Sequence, residues 1–257
     1  MSPPVYEDNS PAELEGAAML QALFSQIETA EARCDTFQIR PGSLLAGDDR
    51  ATAYDPISYQ VRFLLVAAFD HASTFKRTLV DHGMPTVAAY PLVRASLESA
   101  AQALWLTTGG TRSKRVFRAL HRVWDAASLS DEALRHLNPS RASSLPTLRA
   151  RLDELLAAAG AGQRSLDSSH PSMTDIVIEA GRKVASRQFQ PIDVWRLCSS
   201  MAHGNRTVAL AVLEHRRDDP ATDTYVVTTS YRVMAAFVGV LVEVIHAALD
   251  ARDHLNA

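Results

Sequence analysis

The chain has 257 residues, 47% of them hydrophobic and 21% charged, with a net charge of −3. It is long enough to bury a sizeable core, and its slightly acidic balance excludes the global positive field that advertises a nucleic-acid binder. Its two cysteines, Cys34 and Cys198, lack CxxC or Cys/His spacing, which argues against a disulfide framework or a structural zinc site and fits a reducing cytoplasm.

The N-terminus, MSPPVYEDNSPAELEG, is polar and acidic and has neither the basic start nor the apolar core of a signal peptide. Residues 1–10 are expected to be a disordered lead, and 11–257 a single α-helical domain. A helix is expected over 11–33: Ser10 can cap it, Pro11 opens it, and Glu13 follows three residues after the cap. The segment 36–53, with Pro41, Gly42 and Gly47, reads as a loop. A long helix follows from about Pro56 to His82, with Val61, Leu64, Leu65, Ala68, Ala72 and Phe75 at helical spacing and Gly83 as its stop. Pro85 opens another to about Trp105, interrupted or restarted at Pro91. Further helices are expected at 111–127, 130–137, 147–159, 173–186 and 191–203. GAGQRSLDSSHPS, residues 160–172, is a candidate linker.

After Asn205, RTVALAVLEH and TDTYVVTTS are rich in β-branched residues and flank the turn signal RRDDPA, which suggests a small β-hairpin. A final helix runs from about Tyr231 to His254. Its longest unbroken apolar run, 233–242, falls short of the roughly 20 residues that span a bilayer, so no membrane role is expected. The fold class expected is all-α: a helical bundle with a small hairpin before the last helix.

Three constellations carry the chemistry. Between Gly83 and Gly110 the only charged residues are Arg94 and Glu98, four apart on one face of a helix that is otherwise apolar nearly all round. Charges in a buried helix must be paired. They are either an ion pair that fixes helix register or the wall of a polar pocket. The second constellation is WRLCSSMAHGNR, 195–206. Arg196 and His203 stand seven apart, hence on one face and about 10 Å apart along the axis. Ser199 and Ser200 lie between them, and Gly204 stands just past the helix end. A last-turn histidine suits proton transfer and equally suits satisfying terminal carbonyls.

The third is TRSKRVFRALHR, 111–122. Arg112, Arg115, Arg118 and Arg122 stand there with no acid among them, and the last three form one stripe that could hold a phosphate backbone or simply face solvent. Lysine occurs only at Lys76, Lys114 and Lys183, so arginine-rich segments are also what this composition produces. His246 and Asp250 share a face without a third metal ligand, and no Walker loop, GxGxxG, GxSxG or HExxH is present. No metal or cofactor is expected.

Arg196, six residues, then His203 resembles the Arg-x(4–6)-His motif of the HEPN superfamily. Those are helical-bundle proteins, many of them metal-independent ribonucleases in toxin–antitoxin and phage-defence systems. Four Arg/His pairs in the chain fit that spacing, and only Arg196/His203 has a polar face between its members and a helix end beyond. The sequence departs from the usual pattern at Leu197, where many of these ribonucleases carry a polar residue. The resemblance implies a homodimeric site in which His203 handles the proton of the ribose 2′-hydroxyl or leaving oxygen and Arg196 neutralises transition-state charge. Ser199 or Ser200 would position phosphate.

LVRASLESAAQALWL paired with WRLCSSMAHGN, over roughly 55–205, also resembles a group of bacterial helical proteins with Arg-x-x-x-Glu on one helix and Ser-x-x-x-His on another. The matching residues are Arg94, Glu98, Ser199 and His203. Two functions are thereby expected: an RNA endonuclease, or a non-catalytic module that senses a small acidic ligand or binds a protein, such as a toxin or antitoxin partner.

Overall fold

The computed structural model describes residues 10–138, 140, 142–162, 164–185, 189–217 and 225–257. Among them are ten α-helices and one two-stranded hairpin, the all-α architecture that the periodicity predicts. The expected disordered lead, save for Ser10, lies outside the described residues.

The helices are α1 (Pro11–Asp35), α2 (Leu44–Ala51), α3 (Ile57–His82), α4 (Ala89–Thr107), α5 (Arg112–Leu137), α6 (Leu145–Ala158), α7 (Met173–Gly181), α8 (Pro191–Ala202), α9 (Arg206–Val212) and α10 (Tyr231–Leu255). Strands β1 (Glu214–Arg217) and β2 (Tyr225–Thr228) pair antiparallel, with Glu214 opposite Thr228.

Helix α4 is the axis of the bundle. Residues from Ala89 and Tyr90 through Val93, Leu97, Ala101 and Leu104 to Thr107 are buried, and α3, α7, α8 and α10 pack around it. Its many alanines let neighbouring helices approach closely. Pro91 sits in the first turn, where its missing N–H is one of the unpaired donors anyway, so the helix runs through it. Helix α10 is long and apolar enough to cross a membrane by length and composition, and here most of that stretch is buried against α1 and α4.

Five expectations need correction. Pro85 does not open α4, which begins at Ala89. Ser43 accepts a hydrogen bond from the Ala46 N–H, and the supposed loop at 36–53 contains α2. The two helices expected at 111–127 and 130–137 are one, because Ser128 and Ser130 take helical backbone inside α5. Residues 206–212 form α9 although Thr207, Val208 and Val212 are β-branched: Asn205 Oδ1 accepts from the Thr207 and Val208 N–H groups and starts a helix. Helix α7 ends at Gly181 rather than 186, with residues 186–188 outside the described residues.

The candidate linker 160–172 packs against α5 and α6. Ala161 and Leu166 join Val116, Leu120, Leu152 and Leu156 in a small second core. The Ser168 carbonyl accepts from His121 Nε2 at 2.8 Å, and Asp167 pairs with Arg149 at 2.6 Å.

At the other end, Glu13 closes no capping box with Ser10. Ser10 does accept from the Glu13 N–H, but the Glu13 carboxylate crosses to α10, where it accepts from the Ser230 hydroxyl and the Tyr231 N–H. A buried anion thus sits at the N-terminus of the apolar core helix, where the helix dipole favours it.

Candidate functional site

Glu98 Oε1 accepts from Arg94 Nε at 2.9 Å and from Trp195 Nε1 on α8 at 2.7 Å. The Arg94 guanidinium also lies over the Trp195 ring, 5.4 Å from its centroid. The two charges expected on α4 are therefore paired, and Trp195 makes them a three-residue knot between α4 and α8. Each charged side chain is about a quarter exposed (26% and 24%), so the knot lies at the edge of the core. Spacing did not single out Trp195. The signal available was chemical: an indole N–H on a half-buried helix face needs an acceptor, and Glu98 is one of few on the facing helix.

Below the knot lies Cys198. It is fully buried, and burial pushes its thiol up to about 12, an effect the nearby Arg94 charge only partly offsets. Burial likewise pushes the Tyr90 phenol up to about 12, although the Thr229 hydroxyl stands 3.4 Å from its oxygen. Neither group is a nucleophile near neutral pH.

Arg196 and His203 share a face, as their spacing requires, and it is the face away from the core. The buried residues Val194, Cys198 and Met201 define the inner side of α8. At 100° per residue, Arg196 and His203 fall nearly opposite them. Both are exposed and neither makes a side-chain hydrogen bond or ion pair among the described residues. Arg196 and His203 therefore share no cleft with Arg94 and Glu98; among the described residues Trp195 is the α8 side chain that bonds the α4 pair. Ser199, on the Trp195 flank, and Ser200, on the opposite flank, are both half-buried.

The turn after His203 is a Schellman motif: the Gly204 N–H bonds the Met201 carbonyl and the Asn205 N–H bonds the Ser200 carbonyl. Gly204 adopts φ +67°, which a residue with a Cβ rarely takes. Asn205 then caps α9. His-Gly-Asn is thus a helix stop and restart that presents His203 at an exposed junction.

The arginine stripe of α5 is also corrected. Arg115 is buried and bonds Asp48 at 2.6 Å. Burial raises the pKa of Asp48, with Arg115 opposing that shift. Arg118 is buried too: it donates to the Trp105 carbonyl, pairs with Glu179 at 2.6 Å and lies 4.4 Å from the Trp105 ring centroid. These side chains join the small core to the large one and are not available to a phosphate backbone. Arg112, outside the stripe, is the well-exposed one of the four arginines, and it donates to the Gly47 carbonyl at 2.8 Å. Arg122 turns to Gln102 at a long 3.5 Å. On α10, Asp250 Oδ1 of the His246/Asp250 pair accepts from Arg33 Nη2 at 2.8 Å.

No protein-family model, curated protein or solved structure matches this chain.

Proposed function

We propose that the protein is an HEPN-like, metal-independent RNA endonuclease of a toxin or phage-defence type, working as a homodimer in the cytoplasm. One observation carries this reading. Arg196 and His203 stand on one outer face of α8 with no side-chain partner among the described residues, so their polar groups are not spent on holding those residues together.

In the proposed reaction, His203 takes the proton of a ribose 2′-hydroxyl. The 2′-oxygen attacks the adjacent phosphorus, the bond to the 5′-oxygen breaks, that oxygen takes a proton from solvent water, and His203 later returns its proton to solvent. The Arg196 guanidinium stabilises charge on the phosphorane-like transition state. Ser199 and Ser200 flank this face and serve as positioning hydroxyls. The Glu98–Arg94–Trp195 knot holds α8 against α4 and so fixes where the outer face points; its role is positioning. Helix α9 supports a partner at this surface: it buries none of its seven mostly apolar residues fully, and Leu210 is 47% exposed.

The test is cleavage of single-stranded RNA in EDTA. Wild type cuts, while Arg196→Ala and His203→Ala do not and keep the wild-type melting temperature. Intact RNA after incubation with wild-type dimer rejects the proposal.

A second reading is a non-catalytic sensing or protein-interaction module. The specific observation in its favour is that Glu98 already satisfies both Arg94 and Trp195, as a structural network does.

A further inference from the structure

A cavity of about 440 Å³ opens between α4, α5, α7 and the loop before α7, lined among others by Gln102, Arg122, Asp125, His170, Met173 and Ile176. It belongs neither to the α8 surface nor to the Glu98 knot. The inner arginines of the α5 stripe differ in one respect: Arg115 and Arg118 each hold a carboxylate at 2.6 Å, and Arg122 holds none in ion-pair contact among the described residues. Its one hydrogen bond goes to the Gln102 side-chain oxygen. Asp55, at the turn before α3, and Arg122 act on each other only at longer range.

The wall opposite is also incompletely satisfied. His170 stacks on His121 with centroids 5.2 Å apart and meets the Trp105 ring edge-on at 5.7 Å. Its Nδ1 lies 2.9 Å from the Pro171 carbonyl, so this nitrogen carries the hydrogen. Its Nε2, the nitrogen without a hydrogen, is buried with no partner among the described residues and can only accept a hydrogen bond, so the grip on an anion falls to Arg122. Burial lowers the pKa of both His170 and Arg122, so an anion entering the cavity restores to Arg122 the stabilisation that desolvation removed.

We infer that this cavity binds a small organic carboxylate, gripped by the Arg122 guanidinium, with its apolar body against Met173 and Ile176. The guanidinium fork matches a carboxylate bidentately. The volume suits a small ligand and falls far short of a nucleic-acid strand. Asp125, a half-buried carboxylate in the lining, sets an upper limit on ligand charge: it repels a doubly charged ligand more strongly than a singly charged one. That favours a carboxylate over a phosphate monoester.

Isothermal titration of the full chain with benzoate, phenyl phosphate and benzyl alcohol tests this. Benzoate binds saturably below about 10 mM. Benzyl alcohol, which lacks the charge, does not. Arg122→Gln weakens benzoate at least tenfold, and Asp125→Asn, which keeps the shape and removes the repelling charge, tightens it severalfold. The second variant decides the matter if the first does not fold. Absence of saturable benzoate binding, equal binding of benzyl alcohol, tighter binding of phenyl phosphate than of benzoate, or an Asp125→Asn variant with wild-type affinity each overturns the assignment.

Discussion

Glu98 and His203 are both polar residues of the motif helices, and they do opposite things. Glu98 bonds two partners from two directions, so Glu98→Ala strands the Arg94 charge and the Trp195 N–H together. At this partly exposed site that costs about 1–3 kcal/mol, read as a lower denaturant midpoint. His203→Ala and Arg196→Ala, on the solvent side, change stability by roughly 0.5 kcal/mol or less. A His203→Ala variant that melts like Glu98→Ala contradicts the placement of His203.

The buried Tyr90 and Cys198 make a second residue-scale prediction. Both hold their protons in the fold up to about 12, and release them earlier when unfolded, Cys198 near 9 and Tyr90 near 10. The unfolded state therefore binds fewer protons once pH passes 9, so stability is full below pH 9 and falls as pH rises toward 12. Each group contributes about 1.4 kcal/mol of that loss per pH unit. Cys198→Ala should shift the onset upward in a pH series of melting temperatures; an onset that stays put argues that the thiol is not buried.

At the scale of elements, two glycines bear the geometry. Gly16 lets α1 meet the start of α10 so closely that an added Cβ would stand 2.5 Å from the Arg232 nitrogen, which is backbone and cannot swing aside. Gly16→Ala should therefore cost about 1–3 kcal/mol by calorimetry, whereas an alanine inside an ordinary helix would help. Gly204→Ala should cost about 1 kcal/mol at the α8 stop.

The sequence made most helices legible because their apolar residues recur every three or four positions over long spans. It disclosed the stop at Gly204 because only a glycine takes that turn cheaply. Helix α2 was not legible: its eight residues include Gly47, Asp48 and Asp49, poor helix formers, and a Ser43 cap with packing against α3 decides the matter. Helix α9 was hidden for the converse reason, since its β-branched residues favour strand until the Asn205 cap and core contacts override them. The arginine stripe was legible as a stripe and misleading as a surface. Its acid partners, Asp48 and Glu179, lie 67 and 61 residues away in the chain, and no local pattern announces such pairs.

Taken whole, the molecule is a bundle wound on α4, with the α5–α6 unit attached through buried arginine–carboxylate pairs. The Arg94–Glu98 pair on α4 explains how α8 is held, and the stop after His203 explains how its outer face ends. What remains unspent is the Arg196/His203 face, and the proposed chemistry rests there. That face was half legible: spacing put the two residues together, while their exposure depended on which side of α8 meets the core.

The most direct measurement compares one RNA sequence with its fully 2′-O-methylated version, both incubated with the wild-type protein in EDTA and analysed for product ends. The account predicts that the RNA is cut to 2′,3′-cyclic phosphate ends and the methylated strand survives, since His203 has no 2′-hydroxyl to act on. Equal cutting of both strands, or cutting of neither, contradicts it.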